Sequence, residues 1–187
     1  MTENATILQA KEGNRDAFRR LYEEHREKIF RMAYRYTRSA QDSEDVLQET
    51  FIKAFKGLKA FDSGAEANFS AWISKIGLHC AIEHLRRTKR RMGGDHVSLS
   101  DLPQDPAAGD PEPDRALAAA RTLDWVQEAQ RRLPPRQQVV FDLRYRQHLA
   151  IKEIAVRMDC GESNVKTQLS RAVEKLRKQL EPAWGKL

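Results

Sequence analysis

Residues 151–176 read IKEIAVRMDCGESNVKTQLSRAVEKL, and this stretch predicts two short amphipathic helices joined by a tight turn. Two apolar stripes have the three-and-four spacing of a helix. In the turn, Asp159 tolerates the left-handed conformation, and Gly161 is an acceptable cap for a second helix beginning near Glu162. The members of the stripes are Ile151, Ile154, Ala155 and Met158, then Val165, Leu169, Ala172, Val173 and Leu176.

This pattern is a helix-turn-helix, and the outward face of its second helix favours DNA as the ligand. Four hydrogen-bond donors lie on that face, and a major groove about 12 Å wide would bring them to phosphates or base edges. An ordinary helical hairpin with a solvated face is the alternative interpretation. The four residues are Lys166, Thr167, Ser170 and Arg171.

The composition of the whole chain predicts an all-α protein with a polyanionic partner. A net charge of +6 and a pI near 9.4 favour nucleic acid. Seven prolines and nine glycines interrupt long helix-forming runs among the 187 residues, and no segment alternates apolar and polar residues as a strand would. This length allows one domain or two small ones.

The first residues, MTENATILQAKEGNRDAF, lack the basic flank and apolar core of a targeting signal. No run of about 18 apolar residues occurs either, so we expect a cytoplasmic protein without membrane insertion. Cys80 and Cys160 form no C-x-x-C pair and are interpreted as small buried apolar residues.

Helical spacing divides residues 1–91 into three helices that can share one core. The first runs from Asp16 to Arg38; the second has Asp42 as its N-cap and Phe55 on its apolar side; the third begins near Ser70. The third helix ends in the basic run 86–91, RRTKRR.

Residues 92–115 differ in character from both flanks. From Met92 to Asp114 there are four prolines, six acidic residues and no Lys or Arg, which indicates a flexible acidic linker. Residues 116–187 resume helical composition, with Pro134-Pro135 breaking one helix and starting the next. The predicted fold is therefore all-α, with two small helical bundles joined by the linker and the helix-turn-helix in the second bundle.

Aromatic residues precede the basic run, and this combination is typical of single-stranded nucleic-acid binding. Unstacked bases need ring faces and the backbone needs positive charge. Phe61, Phe69 and Trp72 supply the rings. The alternative is that Trp72 belongs to the core and the basic run is a solvated helix end.

The second helix places acids in its first half and lysines in its second, an arrangement that partly suits the helix dipole. The dipole does not explain Gln48 and Glu49, which lie beyond the first turn. A face that docks a partner protein is an open alternative for them.

Enzymatic and metal-binding arrangements are weak. His79, Cys80, Glu83 and His84 have the spacing H-x-x-x-E-H, which does not match the inverted zinc-protease motif. Neither a phosphate-cradling glycine loop nor a nucleophile turn is present. We therefore expect no catalytic residues, no metal and no cofactor.

From about Asp16 to Leu180 the chain resembles bacterial RNA polymerase sigma factors of the extracytoplasmic-function (ECF) group. The stretch DSEDVLQETFIKAFKGLKAF resembles that family's polymerase-docking helix, and FSAWISKIGLHCAIEHLRRTKRR resembles its promoter-melting segment. LPPRQQVVFDLRYRQHLAIKEIAVRM followed by SNVKTQLSRAVEKLRKQL resembles its minus-thirty-five-reading domain.

The resemblance implies three sets of site residues, one for each of these segments. Asp45, Gln48 and Glu49 would contact the clamp helices of the largest polymerase subunit. Lys166, Thr167, Ser170 and Arg171 would read the minus-thirty-five element. The residues implied at the minus-ten element and melted strand are Phe61, Phe69, Trp72, His79, Glu83, Arg86, Arg87 and Arg90.

Four positions depart from the family pattern. His79 stands where the family often has Asn, and Glu83 where Asp is common. Ala150 and Gly161 stand where Ser or another good helix cap is usual, so we expect these helices to depend on packing.

The resemblance also implies domains and partners. Residues 1–91 would be sigma region 2, residues 92–115 the linker and residues 116–187 sigma region 4. The implied protein binds core RNA polymerase and promoter DNA, acts in stress responses, and is held by an anti-sigma factor. The alternatives are a sigma-mimicking protein that sequesters an anti-sigma factor and a plain activator that uses only the helix-turn-helix.

Overall fold

The computed structural model describes residues 3–62, 68–91 and 126–184, and every regular element in these ranges is helical. The predicted all-α class is confirmed. The chain forms two compact units, one of Met1–Arg87 with Ala155–Cys160 and the other of Thr88–Ile154 with Gly161–Leu187. The predicted acidic linker lies outside the described residues.

The helices are named in chain order. Those of the first 91 residues are α1 (Glu3–Lys11), α2 (Arg15–Thr37), α3 (Ala40–Gly57), which a 3-10 turn (Leu58–Ala60) follows, and α4 (Phe69–Arg91). The later ones are α5 (residues 126–132), α6 (Pro135–Tyr145), α7 (Ile151–Met158) and α8 (Glu162–Trp184).

Side-chain caps set where α2 and α3 begin. The Oδ1 atom of Asn14 accepts hydrogen bonds from the backbone N–H groups of Asp16 and Ala17, at 3.0 and 3.1 Å. The Oγ atom of Ser39 accepts one from the N–H of Asp42 at 3.2 Å. The prediction that Asp42 caps α3 is therefore wrong, because Ser39 has the extended backbone of an N-cap and the helix begins a turn earlier.

The core of the first unit lies among α1, α2, α3 and α4. At Gly77, α4 lies close to α2, and the end of one flexible side chain occupies the space that a Cβ would need. A Cβ atom on Gly77 would lie 2.7 Å from Cε of Met32 and 3.5 Å from Cγ2 of Thr50. The buried apolar residues of this core include Ile7, Leu21, Ile29, Leu47, Phe51, Ala54, Phe69 and Ile73.

Helix α1 was not predicted from the sequence. It buries Ile7 and Ala10 in the core of the first unit. Its last residue, Lys11, donates from Nζ to the carbonyl of Phe61 at 2.8 Å. Near its start, Oε1 of Glu3 lies 3.1 Å from Nε2 of the buried His25. Helix α1 is thus fastened at both ends.

The helix-turn-helix has the predicted boundaries. Helix α7 ends at Met158, Asp159 has a φ of +52°, and α8 begins at Glu162. Helix α6 likewise starts with Pro135 in its first turn, as predicted. Although Ala150 offers no side-chain cap, Oε2 of Glu153 accepts a hydrogen bond from its N–H at 2.6 Å. This is half of a capping box, and it stabilises the start of α7 beyond what packing alone would give.

Candidate nucleic-acid interface

Helix α8 separates a buried face from an exposed one. Val165 and Ala172 have no exposed surface, as their positions in the apolar stripe predict. Residues at i and i+4 lie on the same side of a helix, so the four donors named from the sequence form one strip along α8. All four are exposed; they are Lys166, Thr167, Ser170 and Arg171.

One member of this strip already uses its hydroxyl. Oγ1 of Thr167 donates to the carbonyl of Ser163 at 2.9 Å, one turn earlier in α8. This bond engages the hydroxyl hydrogen of Thr167 and leaves its oxygen with two lone pairs that can accept. The strip therefore offers the cations of Lys166 and Arg171, the hydroxyl of Ser170 and a Thr167 oxygen that can accept a hydrogen bond.

The three aromatic residues assigned to the melted strand form a single cluster in the first unit. The ring centroids of Phe61 and Trp72 lie 4.8 Å apart, those of Phe69 and Trp72 5.5 Å apart, and those of Phe61 and Phe69 5.8 Å apart. Phe69 is 0% exposed and also contacts the ring of His25. A buried ring has no free face for a base, and in this structure Phe69 packs in the core.

Phe61 is buried as well, whereas Trp72 is partly exposed. Trp72 also packs beside Gly57 at the end of α3, where a Cβ would lie 3.5 Å from its ring. Of the three, only Trp72 keeps surface that a base could contact. The rings of Phe61 and Phe69 pack against Trp72 on its buried side.

The polar residues assigned to the minus-ten element follow α4 toward its end. His79, Arg87 and Arg90 are exposed, and Glu83 and Arg86 are half-buried. An oxygen of Glu83 lies 3.5 Å from the guanidinium of Arg86, one turn further along the helix. This ion pair lies within α4 and is weak at such exposure.

The residues assigned to polymerase docking lie on the outer side of α3. Asp45 and Gln48 are exposed, and Glu49 is half-buried. Each carboxylate oxygen of Glu49 has a cationic partner: Oε1 lies 2.8 Å from Nζ of Lys53, and Oε2 lies 2.6 Å from Nη2 of Arg87 on α4. Burial by itself would raise the pKa of Glu49, but the hydrogen bonds from Lys53 and Arg87 outweigh it and hold that pKa below its ordinary value.

Two apolar side chains on α3 were missed as surface residues. Ile52 and Phe55 are each 54% exposed, and Phe55 makes an edge contact with Phe18, at 5.0 Å between centroids. The prediction that Phe55 lines the core side of α3 is wrong, because the burial of α3 centres on Phe51 and Ala54. The signal in the sequence was spacing, since Gln48, Ile52 and Phe55 are neighbours on one helix face.

A second contact between α3 and α4 involves Asp42 and His84. Oδ1 of Asp42 lies 3.2 Å from Nε2 of His84, although the alignment does not meet that of a hydrogen bond. The distance is that of an ion pair if the ring is protonated. Helices α3 and α4 thus approach each other through Glu49 and Arg87 and through Asp42 and His84.

The cysteines and the one carboxylate–histidine group add little chemistry. Cys80 is buried, as predicted, and burial raises the pKa of its thiol. Cys160 is only half-buried, so its prediction as a buried apolar residue is wrong.

Within residues 3–62, 68–91 and 126–184, the group of possible metal ligands with atoms within 4.8 Å of one another is Glu3, Glu24 and His25. It does not include the H-x-x-x-E-H residues.

Among the described helices, none combines the length and the apolar character needed to cross a membrane.

Both ends of the chain match known family models. The family described as Sigma-70 region 2 matches residues 21–91, and Sigma-70, region 4 matches residues 123–176. The ECF RNA polymerase sigma factor SigW of Bacillus subtilis is 29% identical over 182 residues, which cover 93% of this chain and 94% of that protein. The RNA polymerase sigma-H factor of Pseudomonas aeruginosa is 30% identical over 180 residues, covering 94% and 92%.

Solved structures give the same fold. The structure of CnrH in complex with the cytosolic domain of CnrY has a TM-score of 0.53 and 23% identity, and covers 96% of this chain and 97% of CnrH. The sigma factor RpoE in complex with the anti-sigma factor NepR, from Bartonella quintana, has a TM-score of 0.54 and 19% identity, covering 88% and 96%.

The family models cover α3, α4 and the helix-turn-helix, and the relatives match along nearly the whole chain. Transcription initiation is the function of this family. The chain therefore belongs to the ECF group of bacterial RNA polymerase sigma factors.

Proposed function

We propose that this protein binds core RNA polymerase and directs it to promoters that carry a minus-ten and a minus-thirty-five element. The observation that carries the proposal is the pairing of two exposed faces in one chain of this family. One is the polar and apolar face of α3, and the other is the strip of donors on α8. A DNA-binding protein without a polymerase partner would need only the second face.

Polymerase docking is assigned to α3. Asp45, Gln48 and Glu49 supply polar contacts, and Ile52 and Phe55 extend the same face with apolar area. Exposed apolar side chains beside polar ones are common in interfaces, where their burial adds to affinity.

Promoter contacts are assigned to α8 and α4. On α8 the residues are Lys166, Thr167, Ser170 and Arg171, which suit a major groove. On α4, Trp72 offers a ring surface, with Phe61 and Phe69 acting through the packing that supports it. The polar contacts at the minus-ten element are assigned to His79, Glu83, Arg86, Arg87 and Arg90.

The same proposal assigns domains and partners. Residues 1–91 form the region 2 domain, residues 92–115 the linker and residues 116–187 the region 4 domain. An anti-sigma factor controls the protein, and the related CnrH and RpoE folds were solved with CnrY and with the anti-sigma factor NepR. The chain acts in the cytoplasm, where RNA polymerase works, and catalysis belongs to the polymerase.

Reconstitution tests the proposal. Core RNA polymerase with this protein should initiate RNA synthesis on a genomic DNA library, and core alone should not. Sequencing the transcripts should reveal start sites with two shared upstream elements. A protein that binds an anti-sigma factor but not core would instead be the sequestering mimic.

A further inference from the structure

One ion pair joins the two surfaces that the proposed function assigns to different partners. Glu49 lies on the docking face of α3, and Arg87 lies in the basic run of α4, 38 residues later. Their atoms Oε2 and Nη2 are 2.6 Å apart. The other oxygen of Glu49 is held by Lys53 at 2.8 Å. Both oxygens of this carboxylate are therefore occupied by cations.

While Glu49 and Arg87 bind each other, each is less available to the partner that the proposed function assigns to it, core polymerase for Glu49 and DNA for Arg87. A guanidinium that neutralises a carboxylate contributes less charge to a nearby phosphate, and a carboxylate with two cations attracts a third only weakly. The pair is also accessible, because the side chains of Glu49 and Arg87 are 28% and 45% exposed. Ion pairs at such exposure are weak, so a competing partner can replace one member.

We propose that Glu49 and Arg87 form an exchangeable ion pair that couples polymerase docking to DNA binding. A cationic group of core polymerase takes over Glu49, and Arg87 is released to bind a phosphate of the promoter strand. The coupling is reciprocal, so DNA bound at Arg87 frees Glu49 and raises the affinity for core. This inference rests on the proposed function and assigns to it a device that connects its two surfaces.

Arg86 provides an internal contrast. Its partner Glu83 lies on α4 itself, at 3.5 Å, so that pair connects no other surface. Arg87 is the member of the basic run that reaches across to Glu49 in the described residues. The coupling is accordingly assigned to Arg87 alone.

The first test measures DNA binding by the full chain without polymerase. Binding of a short fluorescein-labelled oligothymidylate is followed by anisotropy at several NaCl concentrations. Glu49→Gln should release Arg87 and add one phosphate contact, which steepens the slope of log affinity against log salt by about 0.7. At about 0.1 M NaCl the same change corresponds to roughly fivefold tighter binding.

Matched variants separate release of Arg87 from a change in net charge. Glu44→Gln removes one exposed acid from the same helix and should leave the slope unchanged. The double variant Glu49→Gln/Arg87→Ala should lose the gain, and Glu49→Gln/Lys53→Met should keep it. Equal slopes for Glu49→Gln and Glu44→Gln, or a gain that depends on Lys53, would overturn the proposal.

The second test measures the coupling with core polymerase. The oligonucleotide should raise the affinity of the wild-type chain for core by about the same factor of five, but not that of Arg87→Ala. An equal effect on both chains would overturn the coupling. A wild-type chain that does not bind core would overturn the proposed function itself, while the anisotropy titrations still decide whether Glu49 withholds Arg87 from phosphates.

Discussion

Phe69 offers the sharpest test of how the aromatic cluster works. Its ring has no exposed surface and lies 5.8 Å from Phe61, 5.5 Å from Trp72 and 5.2 Å from His25. Truncating a buried Phe to Ala costs about 3–5 kcal/mol of unfolding free energy. Since a domain is stable by about 5–15 kcal/mol in total, Phe69→Ala should leave the first unit marginally folded.

Two further variants calibrate this value. Phe55→Ala removes the same side chain from α3, but that ring is 54% exposed with one edge contact to Phe18, so we expect a loss below about 2 kcal/mol. Phe69→Leu keeps most of the apolar volume and removes the ring face. Its expected loss is about 1–2 kcal/mol.

The assay is urea unfolding followed by the fluorescence of Trp72, which touches both Phe61 and Phe69. Replacing Trp125 and Trp184 by Phe leaves Trp72 as the only tryptophan, so the signal reports on the first unit. Permanganate footprinting of the reconstituted holoenzyme then measures strand opening by Phe69→Leu, which should remain close to the wild-type value.

Two outcomes would refute the reasoning. Equal stability losses for Phe69→Ala and Phe55→Ala would mean that Phe69 is not a core residue. A Phe69→Leu protein that folds and binds the closed promoter but fails to open it would restore base stacking as the role of this ring.

Three other predictions follow from single contacts. Arg171→Ala should weaken binding to the upstream element, flatten its salt dependence by about 0.9 and leave core affinity unchanged, as measured by anisotropy on duplex DNA and on labelled core; equal losses of both would contradict the assignment. Because the pKa of Glu49 is lowered in the folded state, its stabilisation is present above the unfolded pKa and lost as pH falls through the folded one. The difference in unfolding free energy between wild type and Glu49→Gln should therefore shrink between neutral and strongly acid pH, and a constant difference would disprove the electrostatic origin. Gly77→Ala should stabilise by less than the roughly 1 kcal/mol that helix propensity alone gives, as measured by urea unfolding, because the new Cβ would lie 2.7 Å from Cε of Met32 and this flexible side-chain end must shift. In a Met32→Leu background the gain should approach that full value. An equal gain in both backgrounds would argue against the close approach.

Local signals explain why the helix-turn-helix was predictable from sequence. The apolar stripes, the left-handed residue Asp159 and the start of α8 at Glu162 all depend on residues within a few positions of one another. The start of α3 was misplaced because Ser39 and Asp42 are both good caps, and only the backbone conformation distinguishes them.

The burial of Phe69 and the pairing of Glu49 with Arg87 could not be predicted from the sequence, because both depend on residues far apart in the chain. Spacing showed that Phe69 and Trp72 lie near one face of a helix, but not that residues of α1 and the 3-10 turn belong to the same core. The Glu49–Arg87 contact joins residues 38 apart, and charge pattern alone offers several partners for each. The sequence pattern itself singled out the aromatic and basic residues and Gln48 and Glu49, and the resemblance supplied their partners. These roles stay predictions until variants test them.

Helix α1 sets a practical limit on how this protein can be dissected. The family match begins at residue 21, yet Ile7 and Ala10 fill the core, and Lys11 satisfies the carbonyl of Phe61. An expression fragment or a chimera cut at residue 21 would open a cavity in the core of the first unit and remove that donor. If such a fragment were inactive, the cause would be the incomplete core and not the loss of a DNA or polymerase contact. Domain exchanges between family members should therefore include residues 3–20 together with the first unit.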